Sequence, residues 1–465
     1  MGVTLALYNT LSGKKEALTK THRTLRLFVC GPTVYDYLHI GNARTYLVFD
    51  AFVSYLHSRG VRVFYLQNIT DIDDKIIARA ERDLTSARLI AARYKKIYIE
   101  SMRSLGIHSV DRYASATGYI KEIISQVRRL IKKNHVYRIE GDGYYFDVTT
   151  FPDYGALSRR TALQAEDGVS RIDESLKKRN KADFCVWKFS KKGGLFWKTL
   201  LGNGRPGWHI EDTAITEHFF GPQYDIHGGG VDLKFPHHEA EIAQQESLSG
   251  KKPFVKIWMH VGALTVQGKK MSKSLGNYII IDDFLSRYPP QVLRLISLTH
   301  HYRSPVDYTE TLATSHASAW HGVEEFLAKL TFVMAHSKVR HKAELGLVSA
   351  EVEFHHALED DFNTPAALSR LFGLMNKIQP ILWKLSKNDA KSVRRFLTLR
   401  LLSLGFSTSL LPLTRSIRTL VSAREAYRSN EQFAHADRLR KELDDLGYVV
   451  EDTPLGPFIS RKSGT

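Results

Sequence analysis

The chain has 465 residues, 43% of them apolar, two cysteines, and a formal net charge of +17. Two thiols exclude a disulfide framework and point to a reducing, cytoplasmic setting; no window approaches the ~20 apolar residues of a membrane helix, and MGVTLALYNTLSGKKEAL at the N-terminus lacks a signal peptide's apolar core. What remains is a protein of two or three domains with a large core, whose charge suits a polyanion, nucleic acid before acidic membrane, although a solubility effect produces the same excess.

Leu5–Asn9 and Leu25–Cys30 read as short strands. Gly31-Pro32 then turns the chain, and an aromatic, polar loop reaches His39-Ile40-Gly41-Asn42. Val48, Ala51, Phe52 and Tyr55 recur at helical spacing, which predicts a helix over Gly41–Ser58 closed by Gly60. Val61–Gln67 returns as a strand and completes a β-α-β unit, the corner where open α/β sheets hold ligands. Helices follow over Asp73–Arg82 and Thr85–Leu105.

Residues 119–200 have a different texture: a basic helix (Tyr119–Lys133), a strand-like Gly143–Val148, and a Lys- and Arg-rich stretch reaching Phe184–Trp187. They read as an insertion between two halves of a sheet domain, 1–118 and 201–262. Val255–Gly262 is a further strand, Gly268–Ser274 a basic loop, and a domain boundary falls in 306–315. Residues 312–465 read almost entirely as helix, over 351–378, 390–402, 413–427 and a basic amphipathic 434–446 stopped by Gly447.

Four patterns carry candidate chemistry. His39-Ile40-Gly41-Asn42 sits at a helix N-terminus, where unpaired N–H groups favour phosphate; a capping loop looks the same. Gly268-Lys269-Lys270-Met271-Ser272-Lys273-Ser274 suits a loop closing over a triphosphate, where positive charge answers developing negative charge; a solvated basic turn is the alternative. His227-Gly228-Gly229-Gly230-Val231-Asp232 suits a turn or close ligand approach, with Asp232 as a ribose acceptor. His237 and Glu241, four apart behind Pro236, face the same way and with Cys30 make partial zinc chemistry. The fourth donor stays open among His209, Glu211, Asp212, His227 and His238, and a salt-bridged helix surface fits the same spacing. Arg424, Arg428, Arg438, Arg440 and Lys441 suggest a basic face for RNA backbone, with Tyr427, Phe433 and Tyr448 for stacking or core.

GPTVYDYLHIGNARTY, QNITDIDDKII, RPGWHIE, DIHGGGVDLKFPHHEAEIAQ and KMSKSLGN occur in this order. Together they resemble cysteinyl-tRNA synthetase, a class I aminoacyl-tRNA synthetase, strongly from Thr4 to about Tyr308 and more loosely to the end. The resemblance implies an α/β fold: a Rossmann-type catalytic domain with an inserted α/β subdomain (119–200) for the acceptor end. A KMSKS and stem-contact region (263–311) and a mostly helical anticodon-binding domain (312–465) follow. It implies ATP with Mg2+, L-cysteine and tRNA(Cys) as substrates and a monomer with no membrane partner. His39, Asn42, Lys270 and Lys273 become catalytic. Gly41, His227, Gly229 and Asp232 join His39, Asn42 and Lys273 at ATP. Cys30, Thr70, Trp208 and His227 form the amino-acid pocket.

The family's zinc ligands, Cys, Cys, His and Glu, map to Cys30, Asp212, His237 and Glu241. Position 212 departs: the familiar HIECSAM is His209-Ile210-Glu211-Asp212-Thr213-Ala214-Ile215 here. Carboxylate for thiolate makes a bound Zn2+ a stronger Lewis acid and a more weakly held one. Two other functions share parts of the pattern. One is a ligase joining cysteine to an amino sugar, which would lack the full anticodon region; the other is a non-catalytic RNA-binding paralogue, supported only by Asp212.

Overall fold

The computed structural model describes residues 5–18, 23–160, 175, 177–190, 196–271, 276–408 and 413–462. They form two compact units, one of Met1–Leu285, Tyr302–Asp307 and Glu359–Phe362, the other of Ser286–His301, Tyr308–Leu358 and Asn363–Thr465.

In the first unit a hairpin of β1 (Ala6–Asn9) and β2 (Lys14–Ala17) leads to β3 (Leu25–Val29), α1 (Ile40–Ser58) and β4 (Val63–Ile69). Helices α2 (Asp74–Arg82) and α3 (Ala87–Ser104) precede β5 (Arg112–Ser115). Helix α4 (Ile120–Lys132) opens the insertion, with strands β6 (Val136–Ile139), β7 (Gly143–Phe146), β8 (Phe184–Phe189) and β9 (Gly204–Pro206). The chain returns through α5 (Ile210–Phe220), β10 (Tyr224–Gly230), α6 (Glu239–Ser249) and β11 (Val255–Val261).

The main sheet is parallel, in the order β11-β10-β3-β4-β5. Helices cover both faces of such sheets, so the strands read as apolar runs rather than alternations, as Leu25, Leu27, Phe28 and Val29 do. The order reverses between β3 and β10, and a crevice forms beyond their carboxyl ends. The insertion is a separate antiparallel sheet, β6-β7-β8-β9. Its last strand lies past residue 200, because Gly204–Pro206 pairs with β8. Cys185 is buried there beside Ile139 and Tyr145.

Helix α1 is buried on nearly every side, from Ile40 through Leu56, which a single-face periodicity does not reveal. Two contacts seat it. A Cβ at Gly228 would lie 2.2 Å from the Phe49 ring, so only glycine lets α1 meet β10 this closely. The buried Arg44 guanidinium donates to the carbonyls of Gly262 (2.6 Å), Ala263 (3.0 Å) and Ser304 (2.6 Å), tying α1 to the end of β11. Burial lowers Arg44 to about 10, so it stays charged at neutral pH.

The second unit contains helices Pro290–Leu298, Glu310–His336, Thr364–Ile378, Lys387–Ser403, Arg415–Ser429 and Phe433–Asp445. Helix Leu347–Glu359 comes between the second and third of these. Two features differ from the helical reading. The expected helix over 351–378 breaks at Asp361 and Phe362, which take φ of 58° and 47°. Asp361 accepts from Tyr8 N–H, Tyr302 O–H and Arg303, and Phe362 packs on Phe52; these contacts outweigh local propensity. The tail is a β-hairpin, Tyr448–Thr453 with Gly456–Arg461. Its Asp452 accepts from both terminal guanidinium nitrogens of Arg424 (2.9 and 3.1 Å) and pairs with Arg428. Arg424 is only 2% exposed, so it is a structural cation, not part of a basic face. Arg438, Arg440 and Lys441 remain exposed, as does Phe433, while Tyr448 is core.

Adding a methyl group where α1 meets β10 tests this packing. Gly228→Ala should lower unfolding free energy by about 2 kcal/mol, whereas Gly118→Ala, with nothing near its Cβ, should stay within ~0.5 kcal/mol; urea denaturation reads both.

Candidate active site

A cavity of about 630 Å³ opens at the carboxyl edge of the sheet where β3 and β10 are neighbours. Its walls include Cys30, His39, Gly41, Asn42, Thr70, Trp208, Asp212, Asp232, His237 and Lys270.

One end is the start of α1. His39 is the N-cap: its Nδ1 accepts from the Asn42 N–H (3.3 Å), and the Asn42 side chain answers at the His39 N–H (3.5 Å). Burial and nearby Lys270 lower His39 to about 4. The ring is therefore neutral at pH 7, and with Nδ1 accepting, the proton sits on Nε2 as a donor. Tyr278 packs edge-on against it at 4.9 Å. Lys270 Nζ lies 2.5 Å from Asp232 Oδ2. Both are well exposed (70% and 51%), a pairing weak enough for a ligand to displace. Lys273 lies outside the described residues, as do Ser272 and Ser274.

The other end is a buried cluster. Cys30 follows β3, Asp212 sits in the first turn of α5, His237 in the turn entering α6, and Glu241 in its first turn. Cys30 Sγ is 3.6 Å from Asp212 Oδ2 and 3.9 Å from Glu241 Oε1. His237 Nε2 is 3.0 Å from Asp212 Oδ2 and 3.0 Å from Glu241 Oε1. One donor atom from each of the four lies within 4.8 Å of the others. Asp212 Oδ1 and Glu241 Oε2 are buried with no hydrogen-bond partner among the described residues. One sulfur, one imidazole nitrogen, two carboxylates and unsatisfied acceptors make a donor set that fits Zn2+.

The electrostatics agree. Burial, with Glu241 and Asp212 close by, pushes the Cys30 thiol well up. Burial raises Glu241 and Glu211 too. Burial alone would lower His237, but Glu241 and Asp212 outweigh it and lift it to about 10. Without a metal, the His237 imidazolium is the cation that balances this pocket. Trp208 stacks on His237 (4.4 Å between ring centres, 23° between planes), and His209 Nδ1 meets His237 Nδ1 at 2.8 Å, which orients the ring. Thr70 Oγ1 donates to Glu211.

His227 and Gly229, expected at the nucleotide, lie behind the cavity wall. His227 is fully buried, with Nε2 3.3 Å from Cys30 Sγ and Nδ1 2.6 Å from the Tyr224 hydroxyl. Gly229 belongs to β10 rather than a loop, and a Cβ there would be 2.8 Å from the His238 ring. Residue-by-residue reading missed Arg44 and His260. His260 pairs in register with Gly229, and only strand pairing carries that signal.

Comparison with known proteins decides the family. Residues 17–318 match the family described as tRNA synthetases class I (C) catalytic domain. Residues 353–404 match the DALR domain, and 412–456 the cysteinyl-tRNA ligase anticodon binding domain. The chain is 38% identical to the cysteine–tRNA ligase of Thermococcus gammatolerans, over 98% of this chain and 99% of that one. The chain belongs to the cysteinyl-tRNA synthetases. Similar relatives include the cysteine–tRNA ligases of Aquifex aeolicus (37% identity, 99% and 100% coverage) and Anoxybacillus flavithermus (39%, 98% and 99%). The fold is similar to Mycobacterium tuberculosis methionyl-tRNA synthetase in complex with methionyl-adenylate, at TM-score 0.61 and 15% identity over 82% of this chain and 90% of that one.

A raised histidine contributes stability that is complete below its unfolded pKa, near 6.5, and is lost as pH rises through its folded value. The Tm of chelator-treated protein should therefore fall between pH 7 and 9, and the fall should be much smaller in His237→Gln. Thermal melts by circular dichroism across that range check it.

Proposed function

We propose that the chain activates L-cysteine with ATP to cysteinyl-adenylate and transfers the cysteinyl group to tRNA(Cys), releasing pyrophosphate and AMP. The observation that carries this is one cavity with the His39-capped start of α1 at one end and a sulfur–nitrogen–oxygen donor cluster at the other.

The cysteine carboxylate attacks the ATP α-phosphorus as the bond to pyrophosphate breaks. Positioning and charge stabilisation suffice for this step. The α1 N-terminus and the His39 Nε2–H donate to phosphate oxygens, while Asn42 holds the His39 ring through the capping box. Lys270 leaves Asp232 for the phosphates, freeing Asp232 for the ribose, and Lys273 adds a second positive charge. The Mg2+ that travels with ATP shares that load. The terminal adenosine hydroxyl of tRNA then attacks the adenylate carbonyl, and AMP leaves.

Cys30, Asp212, His237 and Glu241 would hold Zn2+, which when bound offers a Lewis-acid position to a substrate thiolate. Sulfur and oxygen differ there in softness rather than size, so serine is rejected without a separate editing site. Thr70 and Trp208 shape the pocket beside it, Trp208 by fixing His237. The insertion would take the acceptor end, residues 263–311 the stem, and the helical unit the anticodon region. Matches over 353–404 and 412–456 support a tRNA acceptor against an amino sugar, and His39, Gly41 and Lys270 at the cavity speak against a non-catalytic paralogue. Both cysteines are free thiols, which supports work in the cytoplasm. No helix of the described residues is long and apolar enough to cross a membrane.

ATP–pyrophosphate exchange with cysteine and with serine, followed by tRNA charging, tests the reading. Exchange should require cysteine, and His39→Ala should lower its kcat by ~10²-fold; equal exchange with serine, or none with cysteine, would sink the assignment. Asp212→Cys should slow zinc loss to a chelator by restoring a soft donor.

A further inference from the structure

Cys30 touches more than the four-residue cluster. Its Sγ is 3.3 Å from His227 Nε2 and 3.2 Å from His238 Nε2. Cys30, His227, His238 and Glu241 bring one donor atom each within 4.8 Å of one another, as Cys30, Asp212, His237 and Glu241 do. We propose that these residues form a second zinc position behind the first, sharing Cys30 and Glu241 with it, so that one ion per chain has two seats. This rests on the zinc reading above.

Three observations carry it. The first is spacing: tetrahedral bonds of about 2.3 Å to sulfur and 2.0 Å to nitrogen put those atoms about 3.5 Å apart, close to the two separations seen. The second is orientation. The far nitrogen of each imidazole is already engaged, His227 Nδ1 by the Tyr224 hydroxyl at 2.6 Å and His238 Nδ1 by His260 Nε2 at 2.8 Å. His260 is held in turn by Thr10. Both Nε2 atoms thus face the shared sulfur with the outer support that metal-bound histidines carry. The third is the shared carboxylate: Glu241 Oε1 lies 3.9 Å from Cys30 Sγ, and Glu241 Oε2, fully buried and without a hydrogen-bond partner among the described residues, lies 3.4 Å from His227 Nδ1.

The two seats differ in chemistry and in access. The front seat offers three anionic donors to a dication. The rear seat offers two, plus two imidazoles, and so forms a neutral complex where no water reaches. A neutral complex is the cheaper one to bury, and nitrogen donors suit zinc. Cys30, Asp212 and His237 line the cavity, whereas His227, His238 and Glu241 do not. An ion in the rear seat is out of a substrate's reach. The rear seat is a closed resting position, and the front seat is the one a ligand in the cavity can meet.

X-ray absorption at the zinc edge of full-length, zinc-loaded protein without substrate tests the proposal. Two imidazoles around zinc are expected, with one zinc per chain by mass spectrometry. Asp212→Ala should keep its zinc and its two-imidazole spectrum, His238→Ala should keep zinc with one imidazole, and the double variant should lose the metal. A one-imidazole spectrum in the unaltered protein, or loss of zinc from folded Asp212→Ala, overturns the rear seat while leaving zinc binding intact. Unaltered protein that takes up no zinc overturns both.

Discussion

A thiol, two carboxylates and an imidazole share one buried pocket at the end of β3, and an apolar interior tolerates them only while their charges balance. Cys30 is where this constraint converges. Its burial raises the thiol, its neighbours Glu241 and Asp212 raise it further, and His237 answers those carboxylates as a cation. Much of the surrounding architecture follows from the need to hold these groups in register. Asp212 and Glu241 each occupy the first turn of a helix, where carboxylates are favoured. Trp208 and His209 fix the His237 ring from the other side.

The two ends of the cavity share a rigid floor. Cys30 and the loop to His39 both leave β3, and β3 lies beside β10 in the middle of a five-stranded sheet. The distance between the helix-start end and the sulfur end is therefore set by backbone pairing rather than by mobile side chains. Arg44 extends this floor, because its guanidinium donates to carbonyls from the end of β11 and from Ser304. Unpaired, that guanidinium would be costly, so the helix bearing His39 and the segment before Lys270 are held together. The contrast at the cavity is between this fixed part and the exposed Lys270–Asp232 pair, which is loose enough to exchange partners.

Histidine chemistry here depends on location rather than residue type. His39 is held neutral by burial and by Lys270, so it works as a hydrogen-bond donor. His237, a few ångströms from two carboxylates, is held positive. His209, His227 and His238 are buried well below their ordinary value, burial being the largest cause in each. Five histidines of one sequence thus divide into one charge carrier and four neutral donors or acceptors.

Local patterns were enough to reveal the β-α-β corner at Leu25–Gln67, the helix start at His39 and the pairing of His237 with Glu241. Each rests on short-range physics: strand hydrophobicity, capping, and helical spacing. The basic run at Gly268 reads as a loop, whereas Lys269–Lys270 pair as a strand with Thr265 and Val266. Motif order added the family and drew attention to Asp212. Other features were invisible because they depend on partners distant in sequence. The break at Asp361–Phe362 exists because Tyr8, Tyr302 and Arg303 claim Asp361, and the conversion of Arg424 from surface cation to buried anchor exists because the terminal hairpin brings Asp452 to it. The same holds at the site. The sequence by itself determined which donors the chain possesses; tertiary packing decided that Cys30 serves two overlapping sets of them, because strand register and helix docking, not spacing along the chain, set the 3 to 4 Å separations on which ligation depends.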